Sequence, residues 1–242
     1  DIITREKMVF VGKEIIDAAF KTKKNIIKTN FKDGDVVPAG ELVSSIYASY
    51  GELLKKERVV LNLIQHLSGI ASFVLNIKEK AQKQNIKILD TRKTTPGLRI
   101  FEKYAVYKGG GTNHRLNLSE GILIKDNHIA LYNNLEELLL KIDNNRNKKP
   151  IEVEVENFEQ IETALKFNVN AILLDNMSPA YIKKIVPEIR KHPNGKKLFI
   201  EVSGGVDDKN IDSYLIKGID AISMGCITHS IKNKDISMKF NV

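Results

Sequence analysis

The chain has one cysteine, Cys226, in 242 residues. That excludes an internal disulfide framework and a cysteine-based zinc cluster, and it fits a reducing, cytoplasmic compartment. No apolar run approaches the ~20 residues that span a bilayer. The N-terminus lacks the charged-then-apolar pattern of a secretory leader. There is no internal repeat and no low-complexity linker. The formal net charge is +8, yet the lysines are spread along the chain and no basic run is interleaved with aromatics. Nucleic acid therefore ranks last as an explanation, behind a solvated lysine surface and attraction for small anions. Arginine is scarce, with seven residues against thirty-one lysines.

What is present is an ordinary globular composition, 42% hydrophobic and 28% charged, long enough to bury a large core. Three of the seven arginines, Arg92, Arg99 and Arg115, fall between residues 89 and 129. That window holds Asp90-Thr91-Arg92-Lys93, Gly109-Gly110-Gly111, Asn113-His114-Arg115 and Ile124-Lys125-Asp126-Asn127-His128. A chain that uses lysine for surface charge but arginine here calls on the planar fork that matches carboxylates and phosphates. The window reads as an anion site.

Periodicity divides the chain in two. Residues 1–60 read as a small α/β layer, with strands at 4–11, 25–31 and 41–50 and a helix at 13–21. A long helical pattern follows over 55–83. Strands then alternate with helices: strands at 86–91, 121–126, 151–156, 171–176, 198–203 and 221–225, helices near 98–107, 134–145, 157–167, 179–191 and 207–217. Residues 144–150 read as a polar loop. Residues 235–242 read as a strand returning to the first layer. This gives a domain of residues 1–60 plus 231–242 and a catalytic domain of 61–230. Right-handed β-α-β units make a parallel sheet. Six strands are too few for the eight-fold barrel, and periodicity does not choose between an open sheet and a smaller barrel.

Ligands of parallel α/β folds sit at the C-terminal strand ends. Those ends carry Asp90, Arg92 and Lys93; Lys125 and Asp126; Asp175 and Asn176; Glu201 and Ser203; and Gly225. The strand at 151–156 alternates Glu152, Glu154 and Glu156 with Val153 and Val155, so its glutamates share one face and need lysine, arginine, a metal or a sugar hydroxyl nearby. Ser203-Gly204-Gly205 and the stretch 224–230 follow the last two strands, a recurrent phosphate-binding arrangement. Gly109-Gly110-Gly111 reads as a place where backbone approaches a ligand. His66 reads as a packed core histidine, His192 as a solvated loop residue, and His128 as a residue orienting Lys125 and Asp126.

These blocks, with Glu57-Arg58, Leu67-Ser68-Gly69-Ile70-Ala71, Pro96-Gly97-Leu98-Arg99, Lys103-Tyr104-Ala105-Val106 and Leu174-Asp175-Asn176, resemble the quinolinate phosphoribosyltransferase family across almost the whole chain. The resemblance implies an N-terminal α/β sandwich plus a small parallel α/β barrel of about six strands, the type II phosphoribosyltransferase fold. It implies conversion of quinolinate and phosphoribosyl pyrophosphate to nicotinate mononucleotide, pyrophosphate and CO2, with Mg2+, in NAD biosynthesis. It implies a homodimer with shared active sites; assembly into hexamers stays open. Members usually begin a few dozen residues earlier, with a helix and a Gly-Asp-rich segment; this sequence opens at Asp1.

By the same resemblance, Arg92, His114, Arg115 and Lys125 hold quinolinate, with Arg58 reaching in from the partner subunit. Lys93, Glu154, Asp175, Ser203, Gly204, Gly205, Gly225 and His229 hold phosphoribosyl pyrophosphate. Lys93, Lys125, Glu154 and Asp175 carry the catalytic work, and Glu154 and Asp175 the magnesium shell. Rival readings are a related phosphoribosyltransferase acting on another ring, a Schiff-base aldolase using Lys93 or Lys125, and a non-catalytic phosphate-binding barrel.

Overall fold

The computed structural model describes residues 1–143, 149–167 and 169–241. Along the chain come β1 (Ile2–Thr4), β2 (Met8–Val9), α1 (Lys13–Phe20), β3 (Ile26–Thr29), β4 (Val36–Val37), β5 (Leu42–Tyr47) and α2 (Tyr50–Gln82). Then follow β6 (Lys87–Leu89), α3 (Arg99–Lys108), β7 (Ile122–Ile124), α4 (Asp126–Ile129), α5 (Leu135–Asp143), β8 (Ile151–Val155) and α6 (Phe158–Lys166). The last elements are β9 (Ala171–Asp175), α7 (Pro179–Lys191), β10 (Phe199–Ser203), α8 (Ile211–Tyr214), β11 (Ala221–Ser223), α9 (Cys226–His229) and β12 (Ile236–Met238).

The chain forms two compact units. One comprises Asp1–Glu79, Lys93–Asn113 and Gly225–Val242; the other comprises Lys80–Arg92 and His114–Met224. The first contains an antiparallel sheet of order β12-β1-β5-β3. Its core gathers Ile2, Phe10, Ile16, Phe20, Ile64 and Ile236. The strand expected over 4–11 is two short strands, because the chain changes partners there. β1 pairs with β5 and β12, whereas β2 pairs with β4 in a separate ladder.

One expectation needs correcting. α2 is long and apolar enough, by length and composition, to cross a membrane. Its apolar stripe is instead spent in the core: Ile64, Leu67, Ile70, Val74 and Ile77, at helical spacing, are all buried. A second correction concerns Gly109-Gly110-Gly111. A Cβ on Gly109 would stand 2.5 Å from the Ala71 carbonyl oxygen, and one on Gly111 2.9 Å from Val74. These glycines let the end of α3 pack on α2; they are packing positions rather than a ligand approach.

The second unit contains a parallel sheet of order β6-β11-β10-β9-β8-β7. Cα register runs unbroken across it. One face carries Ile88, Ile222, Val202, Ile172, Leu174, Val153 and Ile124, all buried, which is what a helix-covered face requires. The helix expected over 207–217 shrinks to α8. The Asp207 carboxylate accepts from the Lys209 and Asn210 N–H groups, and Asn210 donates its amide to the Gly205 carbonyl. At the other end Leu215 leaves helical geometry, with ψ 71°, and Lys217 bridges to Ile219. The expected loop at 144–150 lies outside the described residues up to position 148.

Candidate functional site

The register that puts apolar residues on one face puts Glu152 and Glu154 (β8), Asp175 (β9), and Glu201 and Ser203 (β10) on the other. Lys125 follows β7 and, two residues beyond the Leu123–Glu152 pair, reaches Glu154, with Nζ 2.5 Å from the carboxylate. The expectation that the β8 glutamates need partners nearby holds for Glu152 and Glu154. Glu156 falls beyond β8 and is exposed.

His114 is the hub of this face. Its backbone N–H donates to the Asp90 carboxylate at 2.8 Å, at the end of β6. Its ring Nε2 stands 3.4 Å from Glu152 and 3.5 Å from Glu201. Its Nδ1 accepts the Arg115 N–H at 2.8 Å. Backbones of alternate strands in a flat parallel sheet lie roughly 10 Å apart, so convergence of β8 and β10 carboxylates on one ring fits a concave face.

Burial lowers the pKa of His114, but hydrogen bonds and charge from Glu152 and Glu201 outweigh it and push it up to about 10. Burial pushes the Glu201 carboxyl up as well. The donor atoms of this trio lie within 4.8 Å of one another.

Arg115 donates through Nη1 to the Gly121 carbonyl at 3.2 Å. Burial and the neighbouring Arg92 charge lower its pKa, with Glu152 opposing. Two arginine charges close enough to repel are stable together when an anion joins them. Arg92 itself is exposed. His128 accepts the Lys125 N–H on Nδ1 at 2.9 Å. His66 pairs with the buried Glu102 at 2.8 Å, as a packed histidine should.

The strand-end turn is built tightly. Asn176 has φ 53° and donates its amide to Asp175 at 2.6 Å, and its N–H donates to the Ser203 carbonyl at 2.9 Å. Gly204 has φ +95°, and a Cβ there would stand 2.2 Å from the Asn176 side-chain oxygen. Gly205, with φ +63°, faces open space. The turn suits an anion held by backbone N–H groups. The hard carboxylate oxygens of Glu154 and Asp175, on one face of neighbouring strands, suit magnesium.

The remaining expected residues belong to the other unit. Lys93 and His229 lie together there around Gly225, whose Cβ would meet His229 Nε2 at 3.0 Å and Lys93 Cδ at 3.2 Å. The Thr228 hydroxyl donates to the Lys93 carbonyl at 2.7 Å. Arg58 is exposed on α2. The residues given no role by the sequence reading are Asp90, Glu152 and Glu201. The clue was available: Glu152 and Glu201 share a parity with Glu154 and Ser203 in their strands, which predicts a common face once pairing is known.

A parallel α/β sheet with cations, carboxylates and a glycine turn gathered at its strand ends defines an enzyme class that handles anionic substrates. The sequence model of the C-terminal domain of quinolinate phosphoribosyl transferase matches residues 70–239, and that of its N-terminal domain matches residues 1–68. A probable nicotinate-nucleotide pyrophosphorylase [carboxylating] of Bacillus subtilis is 39% identical, over 98% of this chain and 82% of the relative. The solved structure of NadC from Streptococcus pyogenes superposes with a TM-score of 0.90 at 40% identity, covering 99% of this chain and 84% of the other. A nicotinate-nucleotide pyrophosphorylase from Ehrlichia chaffeensis gives a TM-score of 0.91 at 42% identity, covering 97% and 85%. The chain belongs to the quinolinate phosphoribosyltransferase family.

Proposed function

We infer that this chain transfers the phosphoribosyl group of phosphoribosyl pyrophosphate to quinolinate and decarboxylates the product, giving nicotinate mononucleotide, pyrophosphate and CO2 for NAD biosynthesis. The observation that carries this reading is the shared polar face, where Lys125 meets Glu154 and His114 meets Glu152 and Glu201, with the Arg115 N–H on the His114 ring.

Quinolinate is a small aromatic dianion, so it takes Arg92, His114, Arg115 and Lys125, with Arg58 supplied by the partner subunit of a homodimer. Lys93 holds the pyrophosphate end of the sugar substrate. Ser203, Gly204, Gly205, Gly225 and His229 hold its 5′-phosphate. Departure of pyrophosphate leaves positive charge on the ribose ring, and Glu154 and Asp175 stabilise it by preorganised charge. The Lys125–Glu154 ion pair, at 2.5 Å, ties the quinolinate cations to that carboxylate. The pyridine nitrogen then bonds to the ribose carbon. Once alkylated it draws electrons, and the neighbouring carboxylate leaves as CO2; the pair left on the ring carbon takes up a proton. No covalent enzyme intermediate is required. Magnesium, when bound near Glu154 and Asp175, neutralises pyrophosphate charge. A cytoplasmic location belongs to the same reading.

The test is release of pyrophosphate and CO2 from quinolinate and phosphoribosyl pyrophosphate, with nicotinate as the alternative acceptor. Turnover with nicotinate and none with quinolinate would assign the chain to another ring. Ligand binding without pyrophosphate release would make it a binding protein. A borohydride-trapped adduct with a carbonyl substrate would make it an aldolase.

A further inference from the structure

Glu201 is 1% exposed, on the polar face of β10. Its Oε1 has no hydrogen-bond partner among the described residues. Burying a carboxylate with one oxygen unsatisfied is costly. Burial alone does not explain this residue.

Its contacts offer another explanation. Glu201 Oε2 and Glu152 Oε2 face the same ring nitrogen of His114, at 3.5 and 3.4 Å. The opposite ring nitrogen accepts the Arg115 N–H at 2.8 Å, and the His114 N–H is taken by buried Asp90 at 2.8 Å. The dipeptide His114-Arg115 is thus fastened to the ends or faces of β6, β8 and β10. It sits in an irregular segment, outside any strand or helix, so these side chains do what secondary structure does not.

We propose that Glu201 is a positioning residue for the acidic-substrate pocket: with Glu152 it pins the His114 ring, and through that ring it fixes the backbone of Arg115. The inference rests on the assignment of Arg115 to quinolinate made above. Removing the carboxylate takes away one of the two anchors on Nε2. The ring is then free to turn, the Arg115 N–H loses its acceptor, and the guanidinium drifts from the substrate carboxylate. A displacement of about 1 Å in a site of this kind costs on the order of 100-fold in efficiency.

Two variants of the full chain test this. Glu201→Leu keeps bulk and removes both oxygens; Glu201→Gln keeps an oxygen that accepts from Nε2–H. The expectation is a KM for quinolinate raised about tenfold or more in Glu201→Leu, with KM for phosphoribosyl pyrophosphate within about twofold; Tm falls, because His114 loses a buried charge partner. Glu201→Gln should recover most of the loss. A quinolinate KM in Glu201→Leu within about twofold of the parent overturns the proposal, because a lost positioning contact must show there. So does a parallel rise in both KM values, which is plain destabilisation. Arg115→Ala is the companion: if it too leaves quinolinate KM unchanged, the assignment of the pocket fails and this inference with it. If Arg115→Ala raises that KM while Glu201→Leu does not, only this inference fails.

Discussion

Replacing His114 by alanine probes the charge cluster without any substrate. The folded-state pKa of His114 is about 10, against an ordinary value near 6.5. A raised basic group stabilises the fold fully below the ordinary value, and that contribution disappears as pH rises through the folded one. Each pKa unit is worth about 1.4 kcal/mol. At pH 7 about three units remain, or about 4 kcal/mol; at pH 9 about one unit remains, or about 1.4 kcal/mol. The side chain is 16% exposed, so solvent screening takes little from these figures, and they match the 3–5 kcal/mol typical of breaking a buried ion pair. The measurement is urea unfolding of parent and His114→Ala, followed by circular dichroism at pH 6, 7 and 9. The lost volume of the imidazole adds an offset that does not vary with pH, so the slope is diagnostic. The gap should narrow by roughly 3 kcal/mol between pH 7 and pH 9. A gap that stays constant or widens over that range would refute the raised pKa of His114.

Arg115→Ala should raise the KM for quinolinate by the equivalent of about 2–5 kcal/mol with little change for the sugar substrate; steady-state kinetics with each substrate varied decides it. Gly204→Ala forces a Cβ into a φ of +95° and to 2.2 Å from Asn176, so it should cost on the order of 1–3 kcal/mol and raise the KM for phosphoribosyl pyrophosphate. Thermal unfolding and kinetics check the two parts separately. Arg190→Met removes donors from the carbonyls of Gly195, Leu198 and Gly218 and from Asp220. It should lower stability by on the order of 3 kcal/mol while both KM values stay at the parent's, because this arginine serves the fold alone.

Local chemistry was legible in the chain where it depends on neighbours in sequence. The alternation of Glu152, Val153, Glu154 and Val155 announced a strand with one polar and one apolar face, and β8 has both. The stripe through Leu67, Ile70 and Val74 announced α2. The reading failed where tertiary contact decides. Gly109 and Gly111 looked like ligand-binding glycines and proved to be spacers between α2 and α3, because a glycine's purpose is set by whatever lies beside its missing side chain. The helix expected over 207–217 stopped at Tyr214, where Leu215 leaves helical geometry and Lys217 bridges to Ile219.

By itself the amino-acid order determined the family, the α/β alternation and the supply of arginine, lysine and carboxylate at the strand ends. All three rest on residue type and spacing along the chain. Only the tertiary structure decided that Glu152 and Glu201, 49 positions apart, would grip one imidazole, and that Lys125 would answer Glu154. Pairing register and sheet curvature bring those groups within reach, and neither is written in any local stretch of sequence.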